Sequence, residues 1–253
     1  MAVTGGVLLS GAADLGTARE ALAAAEPTLY HRGHWNASRA RRNAQVIANG
    51  PDHVVVHHTA TANSTDYSKE HAFELSRRIQ RYHMQNNGWD DIGQQLTISR
   101  GGHIMEGRNT SLPAIRQGRH VVGAHTANHN NHTIGIENEG TYSSGKPTDE
   151  LLESLADTCT WLCLTYRLDP GGAIVGHRDY NVTSCPGDGL YALLPALRRE
   201  VGARMAKVRA RWRQMGGTES RGGNAPAFPD PPVRERKAEF YHGPTLGEHD
   251  RTR

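Results

Sequence analysis

Two stretches of this chain carry residue types that bind metal ions. GHRDYNVTSCPGD, from Gly176 to Asp188, sets His177 and Cys185 eight positions apart and closes on a Pro-Gly turn. Far upstream, VVVHHTAT from Val54 to Thr61 supplies a pair of histidines. Imidazole and thiolate are the ligands a borderline-soft Zn²⁺ prefers, and two histidines with one cysteine leave one corner of a tetrahedron open. An open corner is where a catalytic water sits, so the pattern points to metal-assisted hydrolysis rather than a structural zinc knot.

Such ligands need rigid elements to bring them together. Three consecutive valines make His53 to His58 a buried strand. Thr59 to Thr65 is a polar loop. Asp66 or Ser68 caps a helix running to about Asn86, with Ala72, Leu75, Ile79 and Tyr82 on one face, and Asn87-Gly88 stops it. GWDDIGQQLTISRGGHIMEGR reads as a hairpin that turns at Gly101-Gly102, with Asp90 and Asp91 in a turn beside the site. His120 to Gly123 and Thr133 to Asn138 are further strands, separated by a loop rich in His and Asn from His125 to His132. Asp149 to Leu168 is a helix on which Cys159 and Cys163 read as small buried residues. Ala173 to Gly176 is a short strand feeding the His177 segment, and Leu190, Leu193, Leu194, Leu197 and Val201 stripe a last helix. Strands alternating with helices predict an α/β domain over 29–215, a central sheet with helices packed on it.

Composition bounds the remainder. Net charge is +3 with 36% hydrophobic residues, and the pI is near 8.8. This balance is too mild for nucleic acid and compatible with an anionic polymer. Three cysteines, one of them in a metal motif, fit no disulfide scaffold. No run is long and apolar enough to span a bilayer. Residues 1–28 read as a poorly ordered leader or the remnant of a signal peptide, with LAAAEP resembling a cleavage site. Residues 216–253, rich in Gly, Pro and charge, read as a disordered tail. The arginines from Arg198 to Arg213 form a basic stripe, by default a solvated face.

Four blocks, in order, resemble the type 2 family of zinc-dependent N-acetylmuramoyl-L-alanine amidases, which includes peptidoglycan recognition proteins and phage lysozyme-type amidases. They are VVVHHTAT, GWDDIGQQLTISRGGHIMEGR, VVGAHTANHNNHTIGIENEGTY and IVGHRDYNVTSCPGDGLY, with the Asp149 to Leu168 helix between the last two, and the match runs over about residues 51–200. The resemblance implies a three-layer fold whose mixed β-sheet is flanked by helices. It implies one Zn²⁺ held by His57, His177 and Cys185, with His58 on the opposite face of its strand. The implied reaction is cleavage of the amide joining the lactyl group of N-acetylmuramic acid to L-alanine of the stem peptide. The implied partners are peptidoglycan and muropeptides, met by a monomer that is secreted or wall-associated, with a cytoplasmic recycling role as the other setting.

The resemblance also assigns roles around the ion. Glu137, the first glutamate of TIGIENEG, matches a catalytic carboxylate of one branch of the family; the plainer alternative is a structural hydrogen bond. Thr183 is placed to donate to the oxyanion of a tetrahedral intermediate, or to bond local backbone. His125 matches a residue lining the substrate groove. Arg108 faces a substrate carboxylate or a structural acid such as Glu106. Asp179 holds the loop between the ligands or accepts from a ligand histidine. One departure stands out: many members have a catalytic tyrosine after the DIG glycine, and this chain has Gln94, an amide that orients water or substrate but cannot act as a base. That substitution keeps a second function in view, a non-catalytic peptidoglycan-binding module of the same fold.

Overall fold

The computed structural model describes residues 20–215. The strands are β1 (Leu29–Tyr30), β2 (Val46–Ile47), β3 (His53–His58), β4 (Leu96–Ile98), β5 (Ile104–Glu106), β6 (His120–Val121), β7 (Thr133–Asn138) and β8 (Ile174–Gly176). The named helices are α1 (Lys69–Gln85), α2 (Ser111–Arg116), α3 (Asp149–Tyr166), α4 (Pro170–Ala173), α5 (Asp188–Tyr191) and α6 (Leu194–Gln214). Six strands form one sheet in the order β1-β5-β4-β7-β3-β8, and β2 pairs with β6 apart from it. β3 runs parallel to β7 and β8, whereas β4 and β5 are antiparallel, so the sheet is mixed.

Strand alternation sorts the two faces of this sheet. Val54, Val56, Leu96, Ile98, Ile134, Ile136 and Ile174 point to one side and pack with Leu151, Leu155, Cys159 and Leu162 of α3 and Leu197, Val201 and Trp212 of α6. The intervening residues point to the other side, where Val55 and Val175 meet Tyr180, and Met105 meets Trp35 and Ala72 of α1. Helices on both faces give three layers, as the sequence blocks imply. Ser68 is the cap of α1, its hydroxyl accepting from the His71 N–H, and Thr148 caps α3 in the same way. Leu190 lies in α5 rather than in the last helix, because Pro195 opens α6 at its first turn.

The expected leader and tail need separate statements. Residues 1–19 and 216–253 lie outside the described residues. Residues 20–25 are helical, Ala21 is buried in the main core, Glu26 pairs with Arg116 at 2.7 Å, and β1 pairs with β5. The expected boundary at residue 28 therefore falls inside packed structure, because apolar Ala21, Leu22 and Leu29 cover the end of the core. The basic stripe is also partly structural: Arg204 reaches Glu153, Asp157 and Glu200 and so ties α6 to α3.

One buried histidine away from the site makes stability depend on pH. The His83 Nδ1 accepts the Gly93 N–H at 3.0 Å, and the ring lies 4.6 Å from that of Trp89. Burial, helped by the nearby Arg108 guanidinium, pushes its pKa from 6.5 down to about 4. The unfolded chain therefore binds a proton here below pH 6.5 that the folded chain refuses until about pH 4. The stabilisation is fully present above pH 6.5 and is lost as the pH falls toward 4. Urea melts from pH 7 to 4 should show His83→Gln with a shallower acid loss than the wild type, and parallel curves would contradict this.

Candidate metal centre

The face of the sheet left by the core carries a polar row. His57 on β3, Glu137 on β7 and Thr97 on β4 are register partners across three neighbouring strands. His177 enters from the short 3-10 turn that follows β8, a strand paired to β3, and Cys185 from the loop after it. The ligand atoms of His57, His177 and Cys185 all lie within 4.8 Å of one another. The Cys185 Sγ is 3.7 Å from the His57 Nδ1, and the His57 and His177 rings are 4.5 Å apart. Zinc bonds of about 2.3 Å to sulfur and about 2.05 Å to nitrogen put tetrahedral S and N ligands roughly 3.6 Å apart, so these donors fit one zinc ion.

The donor chemistry agrees with the spacing. Burial pushes the His57 imidazole well below its usual pKa, with His177 and His125 adding repulsion. Burial likewise takes His177 down to about 4. Burial pushes the Cys185 thiol far up, and the neighbouring Glu137 adds to it. Two neutral imidazoles with free lone pairs, beside a thiol and a carboxyl that resist ionising, are a set that a dication would satisfy.

Supporting groups fix which nitrogen each histidine offers. The His125 Nε2 is 3.3 Å from the Thr133 carbonyl, an acceptor only, so Nε2 carries the proton and donates. The His125 Nδ1 is then an acceptor, and the His57 Nε2 lies 3.0 Å from it. His57 therefore donates from Nε2 and keeps Nδ1 bare on the side of Cys185. The His125 ring reaches this place because Gly135 and Gly123 lie beneath it; a Cβ on either would come within 2.6 Å of the ring. His177 is arranged in the same way, its Nε2 meeting the Asn181 Oδ1 at 3.0 Å, while the Asn181 amide donates to the Ala127 carbonyl at 3.3 Å.

Glu137 completes the row. Burial raises its carboxyl to about 8, and its Oε2 is buried with no hydrogen-bond partner among the described residues. Gln94 is fully buried; its amide donates to the Thr97 hydroxyl at 2.9 Å, and its Oε1 is left without a partner. Thr183 is half-buried, and its hydroxyl oxygen accepts the Cys185 N–H at 3.2 Å. Asp179 holds the ligand loop rather than a ligand imidazole, accepting from the Gly176 N–H at 2.8 Å and the Tyr191 hydroxyl at 2.5 Å.

Arg108 is 1% exposed and donates to the Ile92 carbonyl at 3.1 Å, so its guanidinium lies in the interior instead of facing a groove. His58 lies on the opposite face from His57, as strand alternation requires, its Nδ1 accepting the Tyr142 N–H at 3.2 Å. His125, expected to line a substrate groove, sits against His57, with its Nδ1 3.0 Å from the His57 Nε2. Asn181 was not singled out from sequence; its signal was its place four residues after His177, one turn on.

The sequence and the fold are both similar to those of known proteins. The profile described as N-acetylmuramoyl-L-alanine amidase matches residues 48–188, which hold His57, His125, Glu137, His177 and Cys185. A human protein named N-acetylmuramoyl-L-alanine amidase is 33% identical over 171 residues, 66% of this chain and 28% of that protein. The chain thus matches less than a third of that relative's length. The structure is similar to that of Drosophila PGRP-LB, with a TM-score of 0.57 and 26% identity over 65% of this chain and 91% of that one. It is also similar to the ectodomain complex of peptidoglycan recognition proteins LCa and LCx bound to tracheal cytotoxin, with a TM-score of 0.58 and 27% identity over 66% of this chain and 95% of that one.

Proposed function

From the premise that this chain belongs to the N-acetylmuramoyl-L-alanine amidase family, we propose that it is a zinc-dependent hydrolase of peptidoglycan. It cleaves the amide between the lactyl group of N-acetylmuramic acid and L-alanine of the stem peptide. The observation that carries this reading is the closed set of His57, His177 and Cys185 beside a buried, unpartnered Glu137.

His57 and Cys185 come from β3 and the late loop, and His177 from the turn after β8; together they hold the ion. Zinc bound there supplies positive charge that polarises a carbonyl and acidifies a water. Glu137, one strand away from His57, accepts the proton of the attacking water at its carboxylate. It returns that proton to the departing nitrogen as the C–N bond breaks and a C–O bond takes its place. Thr183 keeps its own hydroxyl proton free, since its oxygen accepts from the Cys185 N–H, and its O–H donates a hydrogen bond to the developing oxyanion. Gln94 bonds Thr97 and steadies the row; as an amide it moves no proton. His125 is a positioning residue that fixes the His57 tautomer.

The reading is tested by incubating the full chain with intact sacculi and muropeptides, with and without a chelator, and following product masses. Release of intact stem peptides with a new L-alanyl amine, abolished by the chelator and restored by zinc, is the expected result. Tight binding with no product at any zinc level would favour the second reading, a binding module, which Gln94 supports by standing where relatives carry a tyrosine. Cleavage within the stem peptide would leave the hydrolase and change its bond.

His125 gives a separate expectation. His125→Phe keeps a ring over Gly135 but removes the acceptor for His57. Loss of such an outer partner costs about 10- to 100-fold in zinc affinity, read by competition with a chromophoric chelator. An unchanged affinity would confine His125 to substrate contact.

Secretion fits this reading, as does wall association. Among the described residues no helix is long and apolar enough to cross a membrane.

A further inference from the structure

We propose a second site for a divalent transition-metal ion, formed by Asp52, His53 and His132 at the far end of β3 from the first. Asp52 and His53 stand at the start of that strand. His132 immediately precedes β7, and the pairing of His53 with Thr133 and the hydrogen bond from the Asp52 N–H to the His132 carbonyl at 2.9 Å hold the two segments together. The Asp52 Oδ1 lies 2.7 Å from the His53 Nδ1 and 2.8 Å from the His132 Nδ1. One ligand atom from each of the three lies within 4.8 Å of the others. At about 3.3 Å per residue, four residues along β3 separate His53 from His57 by about 13 Å, too far for one ion to bridge both sites.

One carboxylate and two imidazoles are a ligand set that zinc and its late first-row neighbours accept. Donors about 2.1 Å from one ion stand roughly 3 to 4 Å apart, so entry of the ion needs the two rings to move off the shared oxygen by about 1 Å or less. The site is open enough for entry: the side chains of His53, Asp52 and His132 are 23%, 30% and 36% exposed. A pocket of about 580 Å³ lined by Asn49, Asp52, Asn131 and His132, among others, lies beside it.

The surroundings supply an outer partner as well. Without metal, both Nδ1 atoms donate to the carboxylate. With metal, His132 carries its proton on Nε2 instead and can donate it to the His129 Nδ1, which lies 3.0 Å away. That is the support a ligating imidazole needs. Tyr180 packs beside all of these rings, 4.4 Å from His129, 5.8 Å from His53 and 5.9 Å from His132. An ion here would clamp the start of β3 to the 125–132 loop, and the other end of that loop is His125, which orients His57.

The test uses the untagged full chain, stripped of metal and titrated with Zn²⁺ in a calorimeter, then with Co²⁺ in a spectrophotometer. Two zinc ions are expected per wild-type chain and one in His132→Ala, with the thiolate-to-cobalt absorption of the first site unchanged. Cys185→Ser is expected to show the reverse: the thiolate absorption lost and the second ion kept. His53→Gln, which keeps a polar side chain of similar reach at the start of β3, repeats the first result should His132→Ala fail to fold. A single ion per wild-type chain that depends on Cys185, or equal stoichiometry in wild type, His132→Ala and His53→Gln, would overturn the proposal. Because each variant removes a different ion, failure at this site is distinguishable from failure of the first.

Discussion

Cys185→Ser is expected to strip the first zinc site and abolish amide hydrolysis while leaving the domain folded. Zinc bound by a full protein ligand set is worth roughly 10 kcal/mol or more at neutral pH, so one of three ligands accounts for about 3 kcal/mol, over a hundredfold in affinity. The exchange is selective because serine does not ionise at neutral pH and its hydroxyl is a poor ligand for a borderline-soft ion. It is mild for the fold because Cys185 lies in a loop and the new hydroxyl can use the contact that Sγ already makes, with the His58 N–H at 3.4 Å. Metal content after dialysis, turnover of muropeptides and a melting curve measure the three parts of this expectation. Full turnover by the variant would remove the thiolate from the ligand set.

Glu137→Gln is expected to lower turnover by about 10²- to 10⁴-fold, the range that a positioned acid–base group supplies, and to leave zinc binding intact. It also makes a prediction that separates catalysis from structure. Burial holds the Glu137 carboxyl at about 8, so at neutral pH folding must bind a proton there that the unfolded chain releases, and an amide of the same shape carries no such cost. The metal-free variant should therefore melt at the wild-type temperature or above. A residue kept for structure alone would show the opposite pattern, a lower melting temperature with little change in rate per folded molecule. Gln94 sharpens the expectation, because no tyrosine at that position shares the proton transfer.

Much of the fold could be read from local pattern. The three valines of β3, the Ser68 and Thr148 caps and the Gly101-Gly102 turn are each decided within a few residues, where side-chain alternation and capping operate. The boundary at residue 28 was misplaced because the value of Ala21 and Leu22 lies in what covers them, and nothing nearby in sequence says that a core edge waits there. Arg108 had two expected roles, toward a substrate carboxylate or toward a structural acid, and local pattern does not choose between them. Only the closed structure shows its guanidinium buried and donating to the Ile92 carbonyl.

The candidate site divides along the same line. By itself the sequence determined which residues have ligand chemistry, His57, His177, Cys185 and Glu137, because residue type and motif order are properties of the chain. Only the tertiary structure decided which nitrogen each imidazole offers, that His125 and Asn181 set those choices, and that Asp52, His53 and His132 converge. Those facts depend on distances between segments up to 80 residues apart, and such distances are fixed by strand register and packing, which no local spacing encodes.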